Sequence, residues 1–131
     1  MTNYVGVLDG KDGVWGVRFP DMDGCVGGGD TPEAAIADAT AALRDVASHR
    51  RKSGRALPPP SALADILARG DVAAGESVVL IPLILDSGRT VRANLTLDAG
   101  LLEAIDDAAQ RGGVTRSAFL ADAAREKLLR A

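Results

Sequence analysis

Short apolar runs near the start of the chain predict a small sheet. Residues 4–8 and 14–19 are rich in valine and aromatic side chains, and the glycine-containing connection 9–13 between them predicts a β-hairpin. Cys25-Val26 is expected to form a third short strand, and the glycines at 27–29 are interpreted as a flexible turn. This region is therefore expected to consist of strands joined by short turns.

A long helix is expected to follow the glycines. Thr31 is a suitable N-cap and Pro32 suits the first helical position. The apolar positions that recur at helical spacing after this pair are Ile36, Ala39, Leu43 and Val46. The basic run 49–52 suits the negative end of the helix dipole, so the helix is expected to end there.

The rest of the first region is expected to return to the sheet. Three consecutive prolines at 58–60 require an extended backbone, and Ser61 is expected to cap a short helix. Residues 77–85 predict a strand whose continuous apolarity suggests that both faces are covered, with Pro82 at an edge or bulge. Asp86-Ser87-Gly88 is the expected boundary between two modules.

The last third of the chain predicts one strand and two helices. Residues 89–97 alternate strictly between polar and apolar, and helices are expected after Asp98 and Thr115, separated by Gly112-Gly113. A single strand has no partner within this segment, and roughly 40 residues are marginal for an independent core. Antiparallel pairing of this strand between two copies of the chain satisfies both requirements.

In such a dimer the two sides of the strand have different roles. The apolar residues expected in the dimer core are Val91, Ala93, Leu95, Leu97, Leu101, Ile105, Phe119 and Leu120. The polar side forms a two-stranded ridge of a width that fits the DNA major groove, where Arg92 can bind guanine and Asn94 can bind adenine. A polar side that is merely solvated is the alternative interpretation.

Residues 89–130 resemble the ribbon-helix-helix family of dimeric bacterial repressors. The resemblance rests on the strand that runs directly into a capped helix, and on G-G-V-T-R-S-A at 112–118. The residues that it implies contact base edges are Arg92, Asn94 and Thr96. The residues that it implies hold the DNA backbone are Thr115, Arg116 and Ser117. A helix N-terminus offers free N–H groups and partial positive charge to phosphate, which agrees with the second assignment.

The first region resembles the HicB antitoxin family. The resemblance rests on V-W-G-V-R-F-P-D-M-D-G-C at 14–25, G-G-D-T-P-E-A-A at 28–35 and L-P-P-P-S at 57–61. It implies an α+β protein with a partial RNase H-like, toxin-binding domain at 1–85. The ribbon-helix-helix (β-α-α) DNA-binding and dimerisation module would occupy 89–131.

The same resemblance implies the partners. The first domain would neutralise a HicA-type toxin, a small basic mRNA interferase, and the second would bind operator DNA and repress the chain's own operon. The aspartates offered as contacts to a basic toxin are Asp21, Asp23 and Asp30. Charged loop residues are more often only solvated. Unpaired strand edges in the first domain leave room for a tetramer beyond the homodimer.

Composition narrows the remaining functions. Cys25 is the only cysteine and His49 the only histidine, so neither a zinc site nor a nucleophile with its base is expected. RNase H chemistry needs several carboxylates around metal ions, but Asp9 is expected only at the end of the first strand. No catalytic residue, metal or cofactor is therefore expected. An RNase H-like hydrolase is the remotest alternative.

The sequence also bears on where the protein is located in the cell and on an alternative function. The longest apolar run, 78–85, is too short to cross a membrane, and residues 1–30 show no signal-peptide pattern, so a cytoplasmic protein is expected. The net charge of −3 does not itself indicate nucleic-acid binding. The alternative to an antitoxin is a stand-alone ribbon-helix-helix repressor with a sensing first domain and no toxin.

Overall fold

The computed structural model describes residues 2–85 and 89–130, and the expected boundary Asp86-Ser87-Gly88 lies outside the described residues. The chain divides into two compact units, Met1–Leu85 and Asp86–Ala131. Together they contain strands and helices in a mixed α+β arrangement, as expected.

The first unit is a four-stranded antiparallel sheet with two helices. The strands are β1 (Thr2–Lys11), β2 (Val14–Arg18), β3 (Val26–Gly29) and β4 (Ser77–Leu83). The helices are α1 (Pro32–Lys52) and α2 (Leu63–Ala68). The order across the sheet is β3-β2-β1-β4, so β1 and β2 are central and the other two strands form the edges.

The hairpin is tighter than its sequence suggested. β1 extends to Lys11, which pairs with Val14, and leaves Asp12 and Gly13 as a two-residue turn. Both turn residues have positive φ angles, 51° and 80°. A turn of that kind matches the right-handed twist of the strands. The prediction of a five-residue connection was wrong, and Asp9 lies within β1 opposite Gly16 rather than at the strand end.

The glycines at 27–29 belong to β3 and are not a turn, so that interpretation was wrong. A Cβ added to Gly27 would lie 2.3 Å from the backbone nitrogen of Ala39. A Cβ on Gly29 would lie 2.7 Å from the Cβ of Ala34. Glycine is required here because α1 packs directly against the strand backbone.

Helix α1 begins as expected and buries mainly its alanines. Thr31 caps it by accepting a hydrogen bond from the Ala34 amide at 3.1 Å, and Pro32 occupies the first turn. The helix residues that are buried are Ala35, Ala39, Leu43 and Ala47. The predicted face is therefore slightly rotated, because Ile36 and Val46 are only partly buried at its side. Small side chains face the sheet where the helix approaches β3 most closely.

The main core lies between α1 and the sheet. Its buried residues are Tyr4, Val17, Phe19, Met22, Cys25, Ala35, Ala39, Leu43, Ala47, Ile81 and Leu83. Burying each of the larger aliphatic side chains contributes about 1.5–3 kcal/mol to folding. The first unit thus closes its own core.

Side-chain hydrogen bonds fix the proline segment to the sheet. Ser61 takes part in them, so the prediction that it caps a helix was wrong. The Ser61 amide and hydroxyl donate to the two oxygens of Asp21, at 2.7 and 2.6 Å. Helix α2 has Ala62 as its N-cap and receives no side-chain cap. The Tyr4 hydroxyl donates to the carbonyl oxygen of Pro58 at 2.6 Å, and burial raises the pKa of this phenol.

Each of the two edge strands has one position that lacks a free backbone N–H group. Pro82 lies in the edge strand β4, as expected, and supplies no N–H group. At the opposite edge the Gly28 amide donates to a carboxylate oxygen of Asp38 at 2.9 Å. The expectation that both faces of β4 are covered was wrong at Leu80, which is 61% exposed.

The second unit contains α3 (Ala99–Arg111) and α4 (Arg116–Arg130). Asp98 caps α3 by accepting from the amides of Gly100 and Leu101, at 2.9 and 3.1 Å. Thr115 caps α4 by accepting from the Ala118 amide at 3.1 Å. Both caps were expected from sequence. Within the described part of this unit no strand forms. Residues 90–98 precede α3 without ladder partners, so the strand expected over 89–97 stays a prediction.

Candidate functional site

The segment before α3 exposes both of its sides in the single chain. All described residues from 89 to 100 are exposed. The polar residues expected to contact DNA bases, Arg92, Asn94 and Thr96, are therefore accessible. The apolar residues that alternate with them are exposed as well, Val91 at 78% and Leu95 at 66%. Residues 90–98 alternate and lack ladder partners, which is the arrangement expected of one strand of a ribbon before a second chain pairs with it.

The residues expected in a dimer core form an apolar surface that this chain leaves largely uncovered. Those that are exposed are Val91, Ala93, Leu95, Leu97 and Leu101. Phe119 and Leu120 are half-buried, and Ile105 is buried, at 7% exposure. Val114 is a further exposed apolar side chain of this unit. Several large apolar side chains left exposed in one small unit are typical of a surface that binds a partner.

The three residues expected to bind phosphate lie together at the start of α4. Thr115 is the cap, and Arg116 and Ser117 are the first two residues of the helix. All three are exposed. The structure thus brings the expected backbone-binding group to a helix N-terminus, where backbone amide groups can donate hydrogen bonds to an anion.

Arg116 has a partner that the sequence did not suggest. Its Nε and Nη2 groups donate to the two carboxylate oxygens of Asp106 on α3, both at 2.8 Å. These bonds lower the pKa of Asp106 and raise that of Arg116. The residues are ten positions apart, beyond the range of any helical spacing rule, so no local pattern indicated the pair.

In the first unit, one of the three aspartates expected to contact a toxin has a structural role. The Asp21 side chain is only 9% exposed, and it holds Ser61 while lying 3.8 Å from Arg69. It anchors the proline segment and is not free for a partner. Asp23 and Asp30 remain exposed at the two sides of β3.

A second anchor joins β2 to the loop before β4. The Arg18 guanidinium donates to both carboxylate oxygens of Glu76 and to the backbone oxygen of Asp71. Hydrogen bonds from Arg18, and next from the Ala73 amide, lower the pKa of Glu76 to about 2. The loop is thereby held against the sheet.

The sheet face opposite α1 has an open half that the sequence did not reveal. Val14 and Val26 lie on this face and are 74% and 63% exposed. Between them Gly16 pairs with Gly28, and a Cβ on Gly16 would meet nothing closer than 3.6 Å. The result is an open strip at the β2–β3 side of the sheet, with exposed valines at its ends and Asp9 and Arg18 beside it. The two strands are too short for their pattern of polar and apolar residues to reveal this open face.

The residues that the structure describes show few features of a catalytic site. Across 2–85 and 89–130, no three His, Cys, Asp or Glu side chains are grouped so as to hold a metal ion. Cys25 is buried, and burial raises the pKa of its thiol, which disfavours a reactive thiolate. His49 is exposed near the end of α1. None of the helices in these ranges is long and apolar enough to cross a membrane.

Solved structures similar to this chain are antitoxins. The antitoxin HicB of Burkholderia pseudomallei is 28% identical, with a TM-score of 0.61 over 98% of this chain and 99% of that chain. The antitoxin HicB3 is 29% identical, with a TM-score of 0.54 over 98% of both chains. A chain from the HicA3 and HicB3 toxin-antitoxin complex is 20% identical, with a TM-score of 0.52 over 65% of this chain and 99% of that chain, and shows similarity of fold.

Family comparison extends over nearly the whole chain. A comparison with curated protein sequences gives no significant match. The family described as HicB-like antitoxin of bacterial toxin-antitoxin systems matches residues 4–124, which include nearly all of the sheet, helices α1 to α3, the exposed segment before α3 and the first part of α4. This chain belongs to the HicB-like antitoxin family of bacterial toxin–antitoxin systems.

Proposed function

We propose that the chain neutralises a HicA-type mRNA interferase by direct binding through residues 1–85, and represses its own operon through a ribbon-helix-helix dimer formed by residues 89–131. The first part is partial RNase H-like in this proposal, with a three-strand meander followed by α1 and a fourth strand beside β1. The chain acts in the cytoplasm, where operator DNA and mRNA are found.

The observation that carries the DNA-binding part is the uncovered apolar side of residues 91–97. Val91 and Leu95 are largely exposed in the single chain. They alternate along the sequence with the polar residues Arg92, Asn94 and Thr96. Exposing such a strand costs free energy that antiparallel pairing with a second copy recovers. Pairing buries the apolar side, and it leaves the polar side as a ridge that fits the major groove.

The start of α4 supports the same proposal. In a dimer, two copies of Thr115, Arg116 and Ser117 would flank the ridge as backbone contacts. Phosphate contacts set the position of a protein on DNA, whereas base contacts provide sequence specificity. In this proposal Arg92 and its neighbours provide the base contacts, and the start of α4 provides the phosphate contacts.

The toxin-binding part is supported by the family and by the accessible features of the first unit. HicA3 and HicB3 form a complex whose HicB3-like fold this chain shares. The first unit closes its own core and exposes Asp23 before β3, Val26 within it and Asp30 after it. Exposed carboxylates and an exposed valine suit a basic protein partner, because charge complementarity speeds association.

Separate loss of the two activities tests the proposal. Arg92→Ala removes two base contacts per dimer, each worth about 1–3 kcal/mol, so operator affinity should fall about 30-fold or more at fixed salt. Toxin neutralisation in a growth assay should be unchanged. Lys127→Ala, an exposed charge removal farther along α4, is the matched control and should retain operator binding.

Ending the chain after Leu85 gives the complementary result. This fragment should still restore growth to cells that express the toxin encoded beside its gene, and it should not repress the operon. Operator affinity that survives Arg92→Ala would show that the ribbon does not contact the bases. A fragment that fails to neutralise would place the toxin contacts in the second unit.

A further inference from the structure

Arg116 is held in the single chain by a group that resembles its proposed ligand. The Asp106 carboxylate accepts two parallel hydrogen bonds from one edge of the guanidinium, at 2.8 Å each. Carboxylate and phosphate groups accept this fork of donors in the same geometry. Asp106 therefore occupies the donors of Arg116 that are best shaped to grip the DNA backbone.

Both partners are accessible to solvent and hence to DNA. The side chains of Arg116 and Asp106 are 54% and 44% exposed. Ion pairs with this much exposure are weak and exchange partners at little cost. A phosphate that approaches the start of α4 meets either an Arg116 already engaged or a negative carboxylate directly beside it.

We infer that Asp106 is an internal competitor for phosphate at Arg116 and restrains the affinity of the dimer for DNA. The inference rests on the proposed DNA-binding function. The competition acts on the backbone contact, which carries no sequence information, so it weakens binding to operator and to unrelated DNA equally. Sequence discrimination is left to Arg92 and its neighbours. The effect is a faster release of the dimer from every duplex.

A positioning role for Asp106 predicts the opposite result. If the carboxylate orients Arg116 toward phosphate, its removal would weaken DNA binding. The two roles are separated by the sign of the change in affinity, and by whether the change requires Arg116.

The experiment compares Asp106→Asn with Asp107→Asn in the full-length protein. Asp107 is the adjacent exposed carboxylate on α3, so both variants remove the same charge at nearly the same place. Affinity is measured for a duplex that contains the promoter of the chain's own gene and for an unrelated duplex of equal length, over a series of salt concentrations. Asp106→Asn should bind both duplexes about 5- to 25-fold more tightly, since each released Arg116 contributes up to about 5-fold.

Two further readouts identify the mechanism. The plot of log affinity against log salt should steepen by about 2 for Asp106→Asn, one phosphate contact per chain. In an Arg116→Ala background, Asp106→Asn should behave like Asp107→Asn. Asp107→Asn alone should change affinity no more than about 2-fold, and circular dichroism should show native helix content in each variant.

Failure of the inference differs from failure of the proposed function. Asp106→Asn that binds no more tightly than Asp107→Asn overturns the competition, provided that the wild-type protein prefers its own promoter. Weaker binding by Asp106→Asn overturns it in favour of positioning. A wild-type protein that does not distinguish the promoter from the unrelated duplex overturns both this inference and the proposed repressor function.

Discussion

The two units treat their apolar residues in opposite ways. In the first, α1 covers the sheet and buries Tyr4, Leu43 and Ile81 almost completely. In the second, Leu95 and Leu101 stay more than half exposed, and Ile105 and Ala109 are the buried apolar residues among those described. The first unit buries its core as a single chain, whereas the second leaves several large apolar residues exposed. If the proposed dimer forms, the stability of the second unit should depend on protein concentration and that of the first should not.

Breaking the proposed shared core should have the largest effect. Leu95→Asn places two amides per dimer where two leucines pack, at a loss of about 2 kcal/mol or more for each. The dimer dissociation constant should rise about 1,000-fold, as measured by analytical ultracentrifugation. Val14→Asn changes a residue of similar exposure in the first unit and should leave the constant unaltered. Equal behaviour of the two variants would contradict a dimer core at Leu95.

Overfilling the contact between β3 and α1 should damage the first unit alone. Gly27→Ala puts a Cβ 2.3 Å from the Ala39 backbone, so the first unit should lose about 3 kcal/mol of unfolding free energy. Trp15 is the only tryptophan, and its fluorescence during urea unfolding reports this unit. Gly16→Ala brings its methyl group only into ordinary van der Waals contact, no closer than 3.6 Å, and serves as control. Similar losses in both variants would show that helix contact is not the reason for glycine.

The smallest expected effect concerns the pH dependence of the first unit. The pKa of Glu76 is lowered from its usual 4.5 to about 2 in the folded chain. Because the folded value lies below the unfolded one, the ion pair with Arg18 stabilises fully above pH 4.5 and progressively less as pH falls toward 2. Urea unfolding followed at Trp15 should therefore show a wild-type advantage over Glu76→Gln that shrinks across this window. Asp45→Asn, an exposed change on α1, should show no such trend.

Local features of the fold were predictable from sequence, and contacts between distant residues were not. The caps at Thr31, Asp98 and Thr115 depend on residues three positions away at most, so a short pattern is sufficient to find them. The anchor between Asp21 and Ser61 joins positions 40 residues apart. Its discovery requires the fold, and the cap predicted at Ser61 failed because that hydroxyl has a distant partner.

The same limit applies to the candidate site. Alternation predicts Arg92, Asn94 and Thr96 as one side of a strand, because period two is visible in nine residues; no strand forms there in the single chain, so this stays a prediction. The Arg116–Asp106 pair requires the helical hairpin formed by α3 and α4. The assignment of Gly27 to a turn failed for a related reason, since only the approach of α1 distinguishes a tightly packed strand from a flexible loop.

The edges of the sheet affect the tendency of the protein to aggregate. An open strand edge is a template on which further chains can add, and it leads to fibrous aggregates. Here Asp38 occupies the outward amide of Gly28, and Pro82 removes a donor from the opposite edge. Further strands are therefore less able to add to either edge of this sheet.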